Sequence, residues 1–136
     1  MMKLKFVLIA ALLAFSPGGT HAQNVIVIGH TSLSKLNTTT VEKIYTGKAI
    51  KVDGVHVTAV NLKSGELRDR FLRRFLNQDE DKYTAYWTVR RFIGKGIPPK
   101  ELSSAAEVID FVQSTPGAIG YIDESELKPG LNVVSR

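Results

Sequence analysis

The chain has 136 residues, no cysteine, and 18 Lys and Arg against 13 Asp and Glu. That length leaves room for one hydrophobic core, which excludes a two-lobed clamp within the chain, and the absence of cysteine excludes a fold stapled by disulfides. The basic excess is too mild for a protein whose partner is a nucleic-acid backbone, although it favours anions locally.

Residues 1–22 read as a leader for export. Lys3 and Lys5 supply a charged start, Phe6 to Phe15 is an unbroken apolar run, and Ser16-Pro17-Gly18-Gly19 leads to a small-residue exit at Ala22. The run is far shorter than the roughly 20 residues a membrane-spanning helix needs, and no polar residue interrupts it to give an amphipathic face. The expectation is cleavage after Ala22, a periplasmic location, and no membrane span in the remainder, residues 23–136, which form one domain. Removal of Lys3 and Lys5 leaves 16 basic residues against 13 acidic ones.

Asn24 to Gly29 (NVIVIG) is an apolar, β-branched run suited to a strand buried on both faces, as inside a parallel sheet covered by helices. Thr38-Thr39-Thr40 offers N-caps to a two-turn helix with Val41, Ile44 and Tyr45 on one face, ended by Gly47. Asp53-Gly54 marks a turn, and Val55 to Val60 alternates as a second strand. From Ser64 the period changes: Leu67, Phe71, Leu72, Phe75 and Leu76 share a helical face, with Arg68, Arg70, Arg73 and Arg74 around the rest. Asp79-Glu80-Asp81 suits the positive end of a further helix that runs through Tyr83, Tyr86, Trp87 and Arg90 to Phe92 and stops at Gly94 and Gly96. Ile97-Pro98-Pro99 is an extended link. Ser104 with Glu107 is a capping box for a helix carrying Val108, Ile109 and Val112 and ending at Ser114 to Gly117. Ala118 to Ile122 and Leu131 to Val134 are the last strands. The order β-α-β-α-α-α-β-β predicts a layered α/β domain with an at least partly parallel sheet.

Several spaced signatures coincide with one family. They are Val41 to Lys48 (VEKIYTGK), the turn at Asp53-Gly54, Val60-Asn61, Ser64-Gly65 ahead of a helix, Tyr86-Trp87 with Phe92-Ile93-Gly94, and Pro116 to Tyr121 (PGAIGY). In order and separation they resemble the second lobe of phosphate-type ABC-transporter substrate-binding proteins, over about residues 24–123. The resemblance implies a single lobe of a type II periplasmic-binding-protein-like fold, with a central mixed sheet flanked by helices. It also implies an anion held between two lobes, to which the second lobe brings a Ser-Gly-Thr turn at a helix start and an upstream arginine.

The matching turn is Ser64-Gly65-Glu66. The first amides of a helix lack intrahelical partners and carry a partial positive charge, so an oxyanion there is stabilised, and Gly65 lets it approach the backbone. Asn61, Lys63 and Arg68 are the candidate side-chain contacts. Two departures from the family pattern stand out: Glu66 replaces the threonine and opposes an incoming anion, and Val60 or Asn61 stands where the arginine is expected. The leading expectation is therefore a module that binds a small oxyanion such as phosphate weakly, or as part of an assembly. The alternative is an interaction protein whose former cleft face docks an envelope partner, such as a sensor or transporter, or a second copy in a homodimer.

Plainer roles accompany each residue. Ser64 is an ordinary N-cap candidate and Glu66 an ordinary complement to the helix dipole. The basic stretch from Arg68 to Lys95 holds Asp69, Asp79, Glu80 and Asp81 as local partners, so a solvated surface accounts for most of it, with docking to an acidic partner or to membrane headgroups as the other option. Tyr83, Tyr86, Trp87 and Phe92 at helical spacing are expected in the core. His30 and His56 stand far apart with no cysteine, so no metal or cofactor is expected, and no nucleophile elbow or paired carboxylates point to an enzyme.

Overall fold

The computed structural model describes residues 24–136, so the expected leader lies outside the described residues. The chain forms β1 (Val25–Gly29), α1 (Thr38–Tyr45), β2 (Lys51–Val52), β3 (Val55–His56), β4 (Thr58–Leu62) and α2 (Glu66–Phe71). A π-helical turn (Leu72–Leu76) continues α2, and α3 (Glu80–Phe92), β5 (Lys100–Leu102), α4 (Ala105–Ser114), β6 (Ala118–Asp123) and β7 (Asn132–Ser135) follow. The main sheet has the order β5-β4-β6-β1-β7. β4 runs parallel to β5 and β6, and β1 runs antiparallel to β6 and β7. It is a mixed sheet flanked by helices.

The all-apolar strands are explained by two cores, one on each face. Val25 and Val27 of β1 and Ile119 and Tyr121 of β6 meet Tyr45, Phe71, Phe75 and Trp87 from α1, α2 and α3. Ile26, Ile28, Ala118 and Ile122 point the other way, onto Val108, Ile109 and Val112 of α4. Alternate residues of one strand therefore serve opposite layers, which is why β1 shows no polar alternation. Gly117 has φ +75°, and a side-chain carbon there would lie 1.9 Å from the His56 carbonyl oxygen, so only glycine lets β6 start this close to the β3–β4 corner.

Five expectations need correction. β1 is buried on both faces, but its partners are antiparallel. The run Val55–Val60 is not one strand: it breaks at Val57, with β3 pairing β2 in a small hairpin and β4 entering the main sheet. Asn37, not a threonine, caps α1, its Oδ1 accepting from the Thr40 amide at 2.8 Å. β5 was not expected, because Lys100-Glu101-Leu102 has no strand pattern of its own and exists by parallel pairing with Val60, Asn61 and Leu62. Phe92 is not core: it is 90% exposed, whereas Tyr83 and Trp87 are buried.

Candidate functional site

β4, β5 and β6 run in the same direction and end together at Leu62, Leu102 and Asp123. In α/β sheets the crevice beyond such carboxyl ends is the usual ligand position. Here it is an open cavity of about 380 Å³, bordered by Leu62 to Arg68 at the end of β4 and the start of α2, Ser103 to Ala105 at the start of α4, and Asp123 and Glu126.

The two helix starts differ. At α4 the capping box is closed: Ser104 Oγ accepts from the Glu107 amide at 3.2 Å, and the Glu107 carboxylate accepts from the Ser103 amide at 2.6 Å. At α2 the cap is Gly65, which has no side chain to offer. Among the described residues, nothing accepts from the amides of Gly65, Glu66 or Leu67. Gly65 itself is extended and open, with only the Lys63 carbonyl at 3.9 Å from where a Cβ would stand. Glu66 does not fold back onto its own helix start; its carboxylate accepts from Arg70 Nη2 at 3.1 Å, one turn on.

Ser64 does not cap α2. Its hydroxyl donates to Glu80 Oε1 at 3.1 Å. Lys63 is exposed at the rim and forms no ion pair among the described residues. Asn61 and Arg68 lie inside the fold with their polar groups engaged. Asn61 Nδ2 donates to the Tyr83 hydroxyl at 3.0 Å and its Oδ1 accepts from the Tyr121 hydroxyl at 2.8 Å. Arg68, 5% exposed, donates through Nε and Nη2 to Glu80, both at 2.8 Å. Its Nη1 donates to Glu101 at 2.8 Å and to the Leu62 carbonyl at 3.0 Å. Burial works against its charge, but hydrogen bonds to Glu101 and Glu80 outweigh it and hold the guanidinium above its ordinary pKa. Lys63, Ser64, Gly65, Glu66 and Arg68 thus border one cavity, with the guanidinium of Arg68 and the amide of Asn61 already engaged by neighbouring groups.

No protein-family model matches this chain, and no curated protein matches it. Solved structures do. Three are a putative phosphate ABC transporter substrate-binding protein with bound phosphate from Clostridium perfringens (TM-score 0.60, 19% identity), PstS from Borrelia burgdorferi (0.59, 18%) and an ABC-type phosphate transport receptor from Vibrio cholerae (0.54, 10%). In fold, the chain matches one part of these proteins. They cover 81%, 82% and 81% of this chain, whereas it spans only 43%, 46% and 44% of theirs, consistent with a single lobe of the type II binding-protein fold. The first is described as a substrate-binding protein and the third as a transport receptor.

Sequence reasoning missed Glu80, Glu101 and Arg70 as parts of this region. The acidic cluster points Glu80 to the helix dipole, yet Asp79 is the cap of α3, accepting from the Lys82 amide at 2.8 Å, which frees Glu80 for Arg68. Glu101 reaches Arg68 only because β5 pairs with β4. Arg70 could have been found from the i,i+4 spacing to Glu66. It also lines a neighbouring open groove of about 750 Å³ with Arg73, Arg74 and Arg136.

Proposed function

We propose that this chain is an exported binding module that holds a small oxyanion such as phosphate at Ser64–Gly65–Glu66, weakly alone or as one jaw of an assembly. The observation that carries the reading is the open amide end of α2 at the carboxyl ends of three parallel strands. Lys63 adds an exposed charge, and Arg70 becomes available whenever the anion displaces the Glu66 carboxylate. The module has no counterpart for the arginine expected at the Val60–Asn61 position, and Asp123 and Glu126 oppose a second negative charge. Low affinity follows from that balance. A unit charge about 5 Å away at an effective dielectric of roughly 40 to 80 opposes the anion by about 1–2 kcal/mol.

Titration calorimetry and amide NMR with phosphate and sulfate test this on the exported protein. Millimolar binding is expected, with the Gly65, Glu66 and Leu67 amides shifting most. Glu66→Thr should tighten phosphate by about tenfold, since it removes that charge. Gly65→Ala should fold normally and bind less well, because its methyl crowds the anion and nothing else. No heat and no shift at millimolar anion, for wild type and Glu66→Thr alike, removes the reading.

The locking of Arg68 by Glu80 and Glu101 favours a second reading, in which the same rim docks an envelope protein or a second copy of the chain. Light scattering separates the two: a strictly monomeric protein that binds phosphate and captures no partner excludes it.

A further inference from the structure

The C-terminal end of α3 exposes large apolar side chains, whereas the rest of its outer face is polar, with Asp81, Lys82, Thr84, Thr88 and Arg91 exposed. Tyr83, Tyr86 and Trp87 turn inward, with Trp87 Nε1 donating to the Tyr45 carbonyl at 3.2 Å and the Tyr86 hydroxyl donating to Thr46 O at 2.6 Å. Val89 and Phe92, at i and i+3 in the last turn, and Ile93, the residue that ends the helix, are 60%, 90% and 54% exposed. Ile97, 76% exposed, follows directly after the Gly94-Lys95-Gly96 turn. This turn is not loose: Arg90 stacks on Tyr86 and Trp87 and its Nη2 donates to the Lys95 carbonyl, while Gly96 sits over the Trp87 ring. The same Arg90 borders Gly47, so the segment after α1, with exposed Lys48, Ile50 and Lys51, abuts this end of α3.

Charge gives the patch its partner. From Lys82 to Lys100 the sequence holds Lys82, Arg90, Arg91, Lys95 and Lys100 and no Asp or Glu. An exposed apolar helix end with Arg91 and Lys95 exposed beside it complements a surface that is negative outside and apolar beneath. A protein partner would need a matching face of about 20 residues a side for a stable interface, which four side chains on one helix end do not supply. A lipid interface needs only insertion depth for the aromatic and branched side chains and phosphates for the Lys and Arg heads.

We propose that the Val89, Phe92, Ile93 and Ile97 tip, with Arg91 and Lys95, docks this protein on anionic phospholipid surfaces. Flotation of the exported protein, its N-terminus fixed by mass spectrometry, with vesicles of phosphatidylcholine alone or mixed with phosphatidylglycerol tests this. Binding is expected only with phosphatidylglycerol, and should weaken as salt rises because the headgroup term is screened. Phe92→Asp and the pair Arg91→Glu, Lys95→Glu should each lower the bound fraction by about tenfold or more. All three positions are exposed, so thermal melting should match wild type. Absence of binding to phosphatidylglycerol vesicles overturns the proposal, as does binding that both variants retain. A stoichiometric complex with an acidic protein, lost on Phe92→Asp in a protein that ignores vesicles, also overturns it. Phosphate titration reads a different surface, so its outcome leaves this one independent.

Discussion

Arg68 gives the sharpest division between a ligand residue and a structural one. Replacing it by Met keeps the aliphatic stem but removes four hydrogen bonds: two to Glu80, one to Glu101 and one to the Leu62 carbonyl. Buried bonds to charged groups contribute about 1.5–3 kcal/mol each, but Glu80 and Glu101 are 28% and 52% exposed and regain water once the guanidinium is gone. We therefore count about 1 kcal/mol for the carbonyl, about 1–2 for the two-point Glu80 contact and about 0.5 for Glu101, with part offset by the relieved desolvation of Arg68 itself. The expected loss is about 2 kcal/mol, a fall in melting temperature of roughly 5–12 °C for a domain of this size. Urea unfolding measures it, with an unchanged slope confirming that the folded state is intact. Arg68→Lys should recover less than half, because an ammonium cannot serve Glu80 with two parallel bonds. Phosphate titration should be unmoved. A loss under about 0.5 kcal/mol, or phosphate binding abolished at unchanged stability, would refute the assignment.

Phe71 stacks on Tyr121 at 3.9 Å between centroids and meets Tyr45 edge-on at 4.6 Å, so Phe71→Ala should cost about 3–5 kcal/mol in urea unfolding. Gly117→Ala combines a positive φ with a backbone clash on His56, and a loss of more than about 2 kcal/mol is expected by thermal melting. Burial raises the pKa of Tyr45, Tyr83 and Tyr121, so the folded state keeps them neutral where the unfolded chain, titrating near pH 10, ionises. Their contribution is fully present below about pH 10 and lost as pH rises above it; urea midpoints should be level up to that point and then fall, with tyrosinate absorbance appearing as the protein unfolds.

The helices were legible because their periodicity is strong and their ends carry specific chemistry: Ser104 with Glu107, and glycines after α1 and α3, stand where the structure uses them. Strand direction was not legible. β1 is buried on both faces whatever its partners' direction, so an apolar run cannot distinguish parallel from antiparallel neighbours. β5 has no pattern because its backbone pairing with β4, not its side chains, makes it a strand. The rim at Lys63–Glu66 was readable from Gly65 and the change of period that follows it. The engagement of Arg68 was not, since Glu80 and Glu101 lie 12 and 33 residues away and meet it only after α3 and β5 are in place.

α3 ties the two surfaces into one geometry. Its first residue, Glu80, touches Ser64 and Arg68 at the proposed oxyanion site, and its last, Phe92, belongs to the exposed apolar end. Twelve residues at 1.5 Å each put them about 18 Å apart, roughly two Debye lengths at physiological salt. The cations around Phe92 therefore lend little to an anion at Gly65, which must rely on its own amides and on Lys63 and Arg70. The proposed low anion affinity and a basic composition are thus compatible: Arg90, Arg91 and Lys95 sit at the far end of the helix, where they can meet a separate negatively charged surface without strengthening the proposed site at its start.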